Sequence, residues 1–595
     1  MLRVEIDDKY KWNLADIVNN EAEWNAIYNE IKDKIKQIAN FAGKLDNKKN
    51  ILDCLNFSSE ISEKLERIYV FAKMKMDEDS EIAKYQALTD KAERILVEYS
   101  AESSFITPEI TKLEDKVLEG YIADGDFEKH SCYFESVLRE KKYILSENEE
   151  RILSNTQTFS DNFHAAFNMF DNVDVDFGSV NFEGEKIKLT HGTYSMVMQS
   201  KDRKARKDAY RHMFGAYKKM INTIASLYAG NVKKDCFYAK VRGYESAIAK
   251  AMYNENVPQI IYQNLTESVD KSLKLLHDYL SLRKKALGLS KLAMWDMHTP
   301  IVTEIEHNYK YEDAVELVRN ALKPLGKDYE KLLDEAFCNK WIDVFENKGK
   351  RSGAYSWGCY GVHPYVLLNY TGVTHDVFTI AHELGHAMHS YYSNASLPYE
   401  KAGYEIFVAE VASTVNEILL LKYMIAKAEG NEKKYLLSYY LDMFRTTFFR
   451  QTQFAEFEMI AHKAYEEGES LTAEFLCAEY KKLNDKYYKA NTLDDGLICY
   501  EWARIPHFYR SFYVYKYATG ISSAVVIANG ILSDGKNVES YKKFLSLGGS
   551  MPPSEILKVA GVNLEDKKTF DIVRKEFKDT LDQLKELVKG EKWAR

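Results

Sequence analysis

The chain has 595 residues, of which 46% are hydrophobic and 29% charged, with a formal net charge of -9. That balance excludes a disordered chain and lacks the clustered basic character of a nucleic-acid binder. The seven cysteines form no CxxC pair, which argues against a disulfide scaffold and a thiolate metal knot.

The opening stretch, MLRVEIDDKYKWNLADI, is polar and acidic and has no apolar core of a signal segment. No run approaches the ~18 apolar residues of a membrane helix. The expectation is a reduced, cytoplasmic protein with no membrane partner. Asn13 is read as the N-cap of the first helix. Helical spacing then dominates residues 1–170. In ISEKLERIYVFAKMKM, the residues Ile61, Leu65, Ile68, Tyr69 and Phe71 or Ala72 fall near one face.

Residues 173–191, VDVDFGSVNFEGEKIKLTH, break this rhythm. Apolar and polar residues alternate on both sides of Glu183-Gly184, which predicts a hairpin and a seam between two regions. Helices resume near Ser200. A second interruption, 346–373, carries five glycines and a short β-like run at Tyr365–Tyr370. That run is either an edge strand on which an extended peptide pairs or a plain hairpin beneath the next helix. Gly353, Gly358 and Gly361 give its neighbouring loop room to bend, and His363 reads as a loop histidine. The tail from Phe570 to Val588 is again amphipathic. The fold class expected is mostly α with a small β element.

After that element comes AHELGHAMHS. His382 and His386 are four residues apart, so a helix places both rings on one face. Two imidazoles at this spacing can share one zinc ion, with Glu383 about 100° round the helix and able to reach water. The competing reading is a pair of core histidines with a surface glutamate. Catalytic zinc takes three protein ligands and keeps one position open. His389 lies on the same helix too close to His386 for that role and reads as supporting or substrate-facing. In 405–428 a nearly all-apolar helix carries Glu410 and Glu417 on one face. Buried carboxylates need a partner or a metal, so Glu410 is a candidate ligand and Glu417 an orienting group. Otherwise the two line a solvent stripe.

HELGH at 382–386, followed 24 residues after His386 by Glu410 in AEVASTVNE, resembles the thimet-oligopeptidase-like metallopeptidases, and among them the oligoendopeptidase F branch. KYKWNLADI, KRSGAYSWGCYGVHPYVLLNY and WARIPHFYRSFYVYKYATG carry the same resemblance. It implies a helical, clamshell-like fold with a deep channel; with the hairpin as the seam, the chain divides into an N-terminal helical region at 1–190 and a zinc peptidase domain at 191–595. It also implies one Zn²⁺ on His382, His386 and Glu410, Glu383 as catalytic base, and short oligopeptides as substrates cut internally.

The related peptidases place a histidine and tyrosines from the 507–517 region on the substrate oxyanion, which points to His507, Tyr509 and Tyr513, with Tyr517 as an alternative. If the region is one helix, Tyr509, Tyr513 and Tyr517 share a face; they serve as donors or as core packing. The other classes considered are a carboxydipeptidase, a non-haem iron oxygenase using a two-His-one-carboxylate site, and an inactive peptide-binding module. Oligomeric state is left open.

Overall fold

The computed structural model describes residues 1–302, 308–489, 491–493, 495–533, 535 and 537–589. Helices dominate these residues, with two small sheets between them. No described helix is long and apolar enough to cross a membrane.

The chain divides into two compact units, each assembled from three segments. The first comprises Met1–Lys142, Glu306–Tyr423 and Ile527–Val562. Its long helix Lys48–Glu78 buries Ile61, Leu65, Ile68, Phe71 and Ala72, the face that the apolar spacing predicts. Asn13, expected to cap the first helix, instead caps a single 3-10 turn at Leu14–Asp16 by accepting from the Ala15 amide. The first α-helix begins at Glu21 and is capped by Asn20.

The sheet of this unit has three strands. Strands β1 and β2 form the hairpin of the second unit, described below, at Ser179–Phe182 and Glu185–Lys188. Here β3 is Ile342–Asp343, β4 is Tyr355–Trp357 and β5 is Tyr365–Leu367. The order is β3-β5-β4, with β5 parallel to β3 and antiparallel to β4. Strand β5 is therefore central, and its backbone groups are taken on both sides. The edge-strand reading of Tyr365–Tyr370 is corrected: a peptide has no free edge there. All of β5 is buried, with Tyr365 and Leu367 in the core built by the N-terminal helices. Helix Thr374–Ser396 packs on β4 and β5.

The second unit comprises Tyr143–Ile305, Met424–Val526 and Asn563–Arg595. The predicted hairpin is present. Glu183 and Gly184 turn at φ 50° and 85° between paired Phe182 and Glu185, the two positive-φ positions of a type I′ turn. Around it lie long helices, among them Ile260–Ala286, Arg450–Glu466, Ala473–Tyr488 and Lys568–Leu587. The last of these buries Phe570, Val573, Phe577, Leu581 and Leu584.

Candidate metal centre

The motif helix begins where TGVTHD turns into it. The Asp376 carboxylate accepts from the amides of Thr371, Gly372 and Val373 and from the Thr371 hydroxyl, satisfying donors that a helix start leaves open. Two turns on, the helix meets the segment Ile406–Lys427 at Gly385. A Cβ on Gly385 would lie 2.5 Å from the Ser413 Cα and 2.7 Å from the Ala412 carbonyl oxygen. Only a glycine allows the two backbones to approach this closely. Beside the crossing, the buried Asn416 donates to the Ala381 carbonyl at 3.1 Å. Neither Gly385 nor Asn416 was marked by the sequence reading. A glycine inside an otherwise apolar helix was the available signal.

The crossing brings Glu410 and Glu417 over the histidine pair. His382 Nε2 and His386 Nε2 are 3.2 Å apart, and Glu410 Oε2 lies 3.5 Å from the first and 3.6 Å from the second. Ligands about 2.0–2.1 Å from one tetrahedral ion are separated by about 3.3–3.4 Å, so the triangle has the size a single zinc ion requires. Among the described residues, these three are the one group of histidine, cysteine and carboxylate side chains placed to hold a metal ion.

Glu417 Oε1 accepts from His382 Nδ1 at 2.5 Å. This fixes the tautomer: with Nδ1 carrying the proton, Nε2 offers its lone pair to the triangle. In the metal-free site, burial pushes the His382 pKa down, but the bond to Glu417 and the surrounding carboxylates carry it up to about 9. Glu410 is held below the ordinary carboxylate range by its hydrogen bond to His386, against burial. Glu383 goes the other way. It is 7% exposed, and burial raises its pKa although His382 and His386 pull it down. The two carboxylates are thus driven apart, Glu410 below and Glu383 above the ordinary carboxylate range.

His389 does not face substrate. Its ring is 1% exposed, stacked 3.8 Å from Tyr404 and packed near Phe544, and its Nδ1 has no hydrogen-bond partner. His363 stacks on Trp341 at 4.5 Å with its Nε2 3.1 Å from Asp16, so it belongs to the loop.

The profile of Peptidase family M3 matches residues 196–575, and that of Oligopeptidase F matches residues 109–177. The chain belongs to peptidase family M3. It is 38% identical over 591 residues to Oligopeptidase PepF of Bacillus subtilis (strain 168), covering 98% of this chain and 88% of the relative. It is 38% identical over 594 residues to an Oligoendopeptidase F homolog of Lactococcus lactis subsp. lactis, covering 98% of both. The crystal structure of oligoendopeptidase-F from Enterococcus faecium superposes with a TM-score of 0.74 at 32% identity, covering 96% of this chain and 100% of that one. The M3 chain is an oligoendopeptidase F-like metallopeptidase.

Elsewhere in this M3 peptidase, the 507–517 region is not one helix. Pro506–Tyr509 is a 3-10 turn, Phe512 sits at φ 59°, and the α-helix starts only at Tyr515. His507, Tyr513 and Tyr517 come together: His507 Nε2 is 3.2 Å from the Tyr517 hydroxyl, and its ring lies 6.0 Å from that of Tyr513. Burial and then Arg510 push the His507 pKa down. Tyr509 is not on that face. Its ring stacks on Phe167 at 4.5 Å, and its buried hydroxyl has no hydrogen-bond partner. The break at 510–514 turns it into the core of the second unit. The expected common face of three tyrosines is therefore reduced to two.

Proposed function

We propose that this M3 peptidase holds one Zn²⁺ on His382, His386 and Glu410 and cuts internal peptide bonds of short oligopeptides. The triangle of 3.2–3.6 Å between the three ligand atoms carries the reading. Held by these three side chains, a zinc ion would supply a Lewis acid able to polarise a carbonyl and lower the pKa of water toward about 7. Glu383 takes the proton of the attacking water and returns it to the leaving nitrogen. Its burial, which favours the neutral form once loaded, suits both halves of that transfer. Glu417 keeps His382 in the ligating tautomer.

His507, Tyr513 and Tyr517 are the proposed oxyanion donors. The resemblance supports this, as does their mutual contact in the second unit. Tyr509 is assigned to packing. Peptides are the only partners proposed, and the cysteine usage supports a cytoplasmic location. A division near residue 190 into an N-terminal helical region and a peptidase region fits the gap between the two matched profiles, at 178–195, where the hairpin lies. The two compact units follow a different partition and recross that boundary.

Digestion of a mixed oligopeptide set, with and without a chelator and read by mass spectrometry, tests the proposal. Internal cuts that vanish with the metal and return with zinc are expected. Comparing a C-terminally amidated peptide with its free acid separates this activity from a carboxydipeptidase. Metal analysis separates it from an iron oxygenase.

A further inference from the structure

Within the second unit lies a small cavity of about 20 Å³, with Arg445, Arg450, Arg504, His298, Glu501 and Tyr488 in its wall. That volume suits one water-sized particle and no organic molecule. Arg445 and Glu501 are buried, at 3% and 4% exposed, while Arg450 and Arg504 keep 16% and 22% of their side chains exposed.

The carboxylates nearby are already engaged. One Glu501 oxygen pairs with Arg450 Nη2 at 2.7 Å, and the other accepts from the Tyr480 hydroxyl. Asp442 is shared between Arg445 Nε at 2.8 Å and Arg283 Nη1 at 3.0 Å. Asp495 accepts from the amides of Leu497 and Ile498 and from the Tyr210 hydroxyl. Arg504 is left over. Among the described residues the one carboxylate near it is Glu501 at 4.0 Å; its guanidinium lies over the Tyr194 ring at 5.6 Å, and its buried Nε has no hydrogen-bond partner. Among the described residues, four guanidiniums, Arg283, Arg445, Arg450 and Arg504, thus face three carboxylates, Asp442, Asp495 and Glu501. His298 supplies no countercharge. Burial and then the three cavity arginines hold its pKa well below the usual value, which marks the positive potential of the space. A half-buried cation with no close carboxylate favours a nearby anion, and the cavity beside it offers the place for one.

We propose that this cavity binds one small monovalent anion of halide size, held among Arg445, Arg450 and Arg504. Nothing in this inference depends on the peptidase chemistry. Zinc-loaded protein crystallised in sodium bromide and measured at the bromine edge should show an anomalous peak inside the cavity. A cavity without that peak, with bromide at surface sites only, overturns the proposal. In solution, chloride should raise the melting temperature by about 2 °C or more over gluconate at equal ionic strength. Arg504→Met leaves no carboxylate unpaired and should lose both the shift and the peak. Equal melting temperatures of the parent in the two salts would show that no anion offsets the arginine charge. The parent measurements stand whether or not the variant folds.

Discussion

Glu417 Oε1 lies 2.5 Å from His382 Nδ1, on the side of the ring away from Glu410 and His386. One carboxylate of the apolar helix faces the metal triangle while the other, two turns on, sets the proton of a ligand. Partners of this kind are worth about 10–100-fold in metal affinity. Glu417→Ala should therefore weaken zinc by that factor in a chelator competition, with Glu417→Gln intermediate because an amide oxygen still accepts. Unchanged affinity in both variants would remove Glu417 from the site.

Glu410→Ala should release zinc more readily still, since it deletes one of three ligands. Stoichiometric zinc and parental activity in the purified variant would mean the third ligand lies elsewhere.

Gly385→Ala sets two effects against each other. In an ordinary helix the change stabilises by about 1 kcal/mol. Here the new methyl lands 2.5 Å from the Ser413 Cα, where backbone must move. Overpacking of this kind costs about 1–3 kcal/mol and forces apart the two helices that carry the ligands. The clash should win: lower melting temperature and weaker zinc retention together. A more stable variant with full zinc would contradict the crossing as described.

The candidate metal triangle was legible because its spacing is local. HExxH fixes two rings on one helix face, and a carboxylate pair seven apart in an apolar helix needs a reason to be there. Gly385 was less legible: a glycine inside an apolar helix signals a close approach, but the helix it meets lies elsewhere in the chain. The tyrosines misled for a physical reason. Counting by fours assumes an unbroken helix, and Phe512 breaks it at φ 59° with its amide held by the buried Glu458 at 3.0 Å. Whether β5 lay at an edge stayed open in the sequence because its neighbour β3 is only two residues long, too short to show alternation.

That break sorts the tyrosines. Tyr513→Phe or Tyr517→Phe, and His507→Ala, should lower kcat by about 10²–10³ with a smaller change in KM and zinc retained. Tyr509→Phe should leave kcat alone and hold or raise stability, because its hydroxyl is buried without a partner. A kinetic defect confined to Tyr509→Phe would reverse the assignment.

Glu458 gives a pH prediction. Burial raises its pKa well above the usual value, so the folded chain keeps a proton that the unfolded chain has released. Stability from this group is present in acid and falls as pH rises from about 4.5 toward the folded pKa. Glu458→Gln should therefore gain on the parent in melting temperature as pH rises above about 4.5. Parallel pH profiles would show the carboxyl to be ionised in the fold.

The central claim is that Glu383 moves the proton at a zinc ion held by His382, His386 and Glu410. The most direct test is the rate at which zinc-loaded Glu383→Gln cleaves a peptide blocked at both ends, measured against the zinc-loaded parent with metal content determined on the same samples. The amide keeps the shape and cannot accept the proton. The expected result is one zinc per chain in both and a fall in internal cleavage of about 10²–10⁴. Cleavage at the parental rate with zinc in place would contradict it.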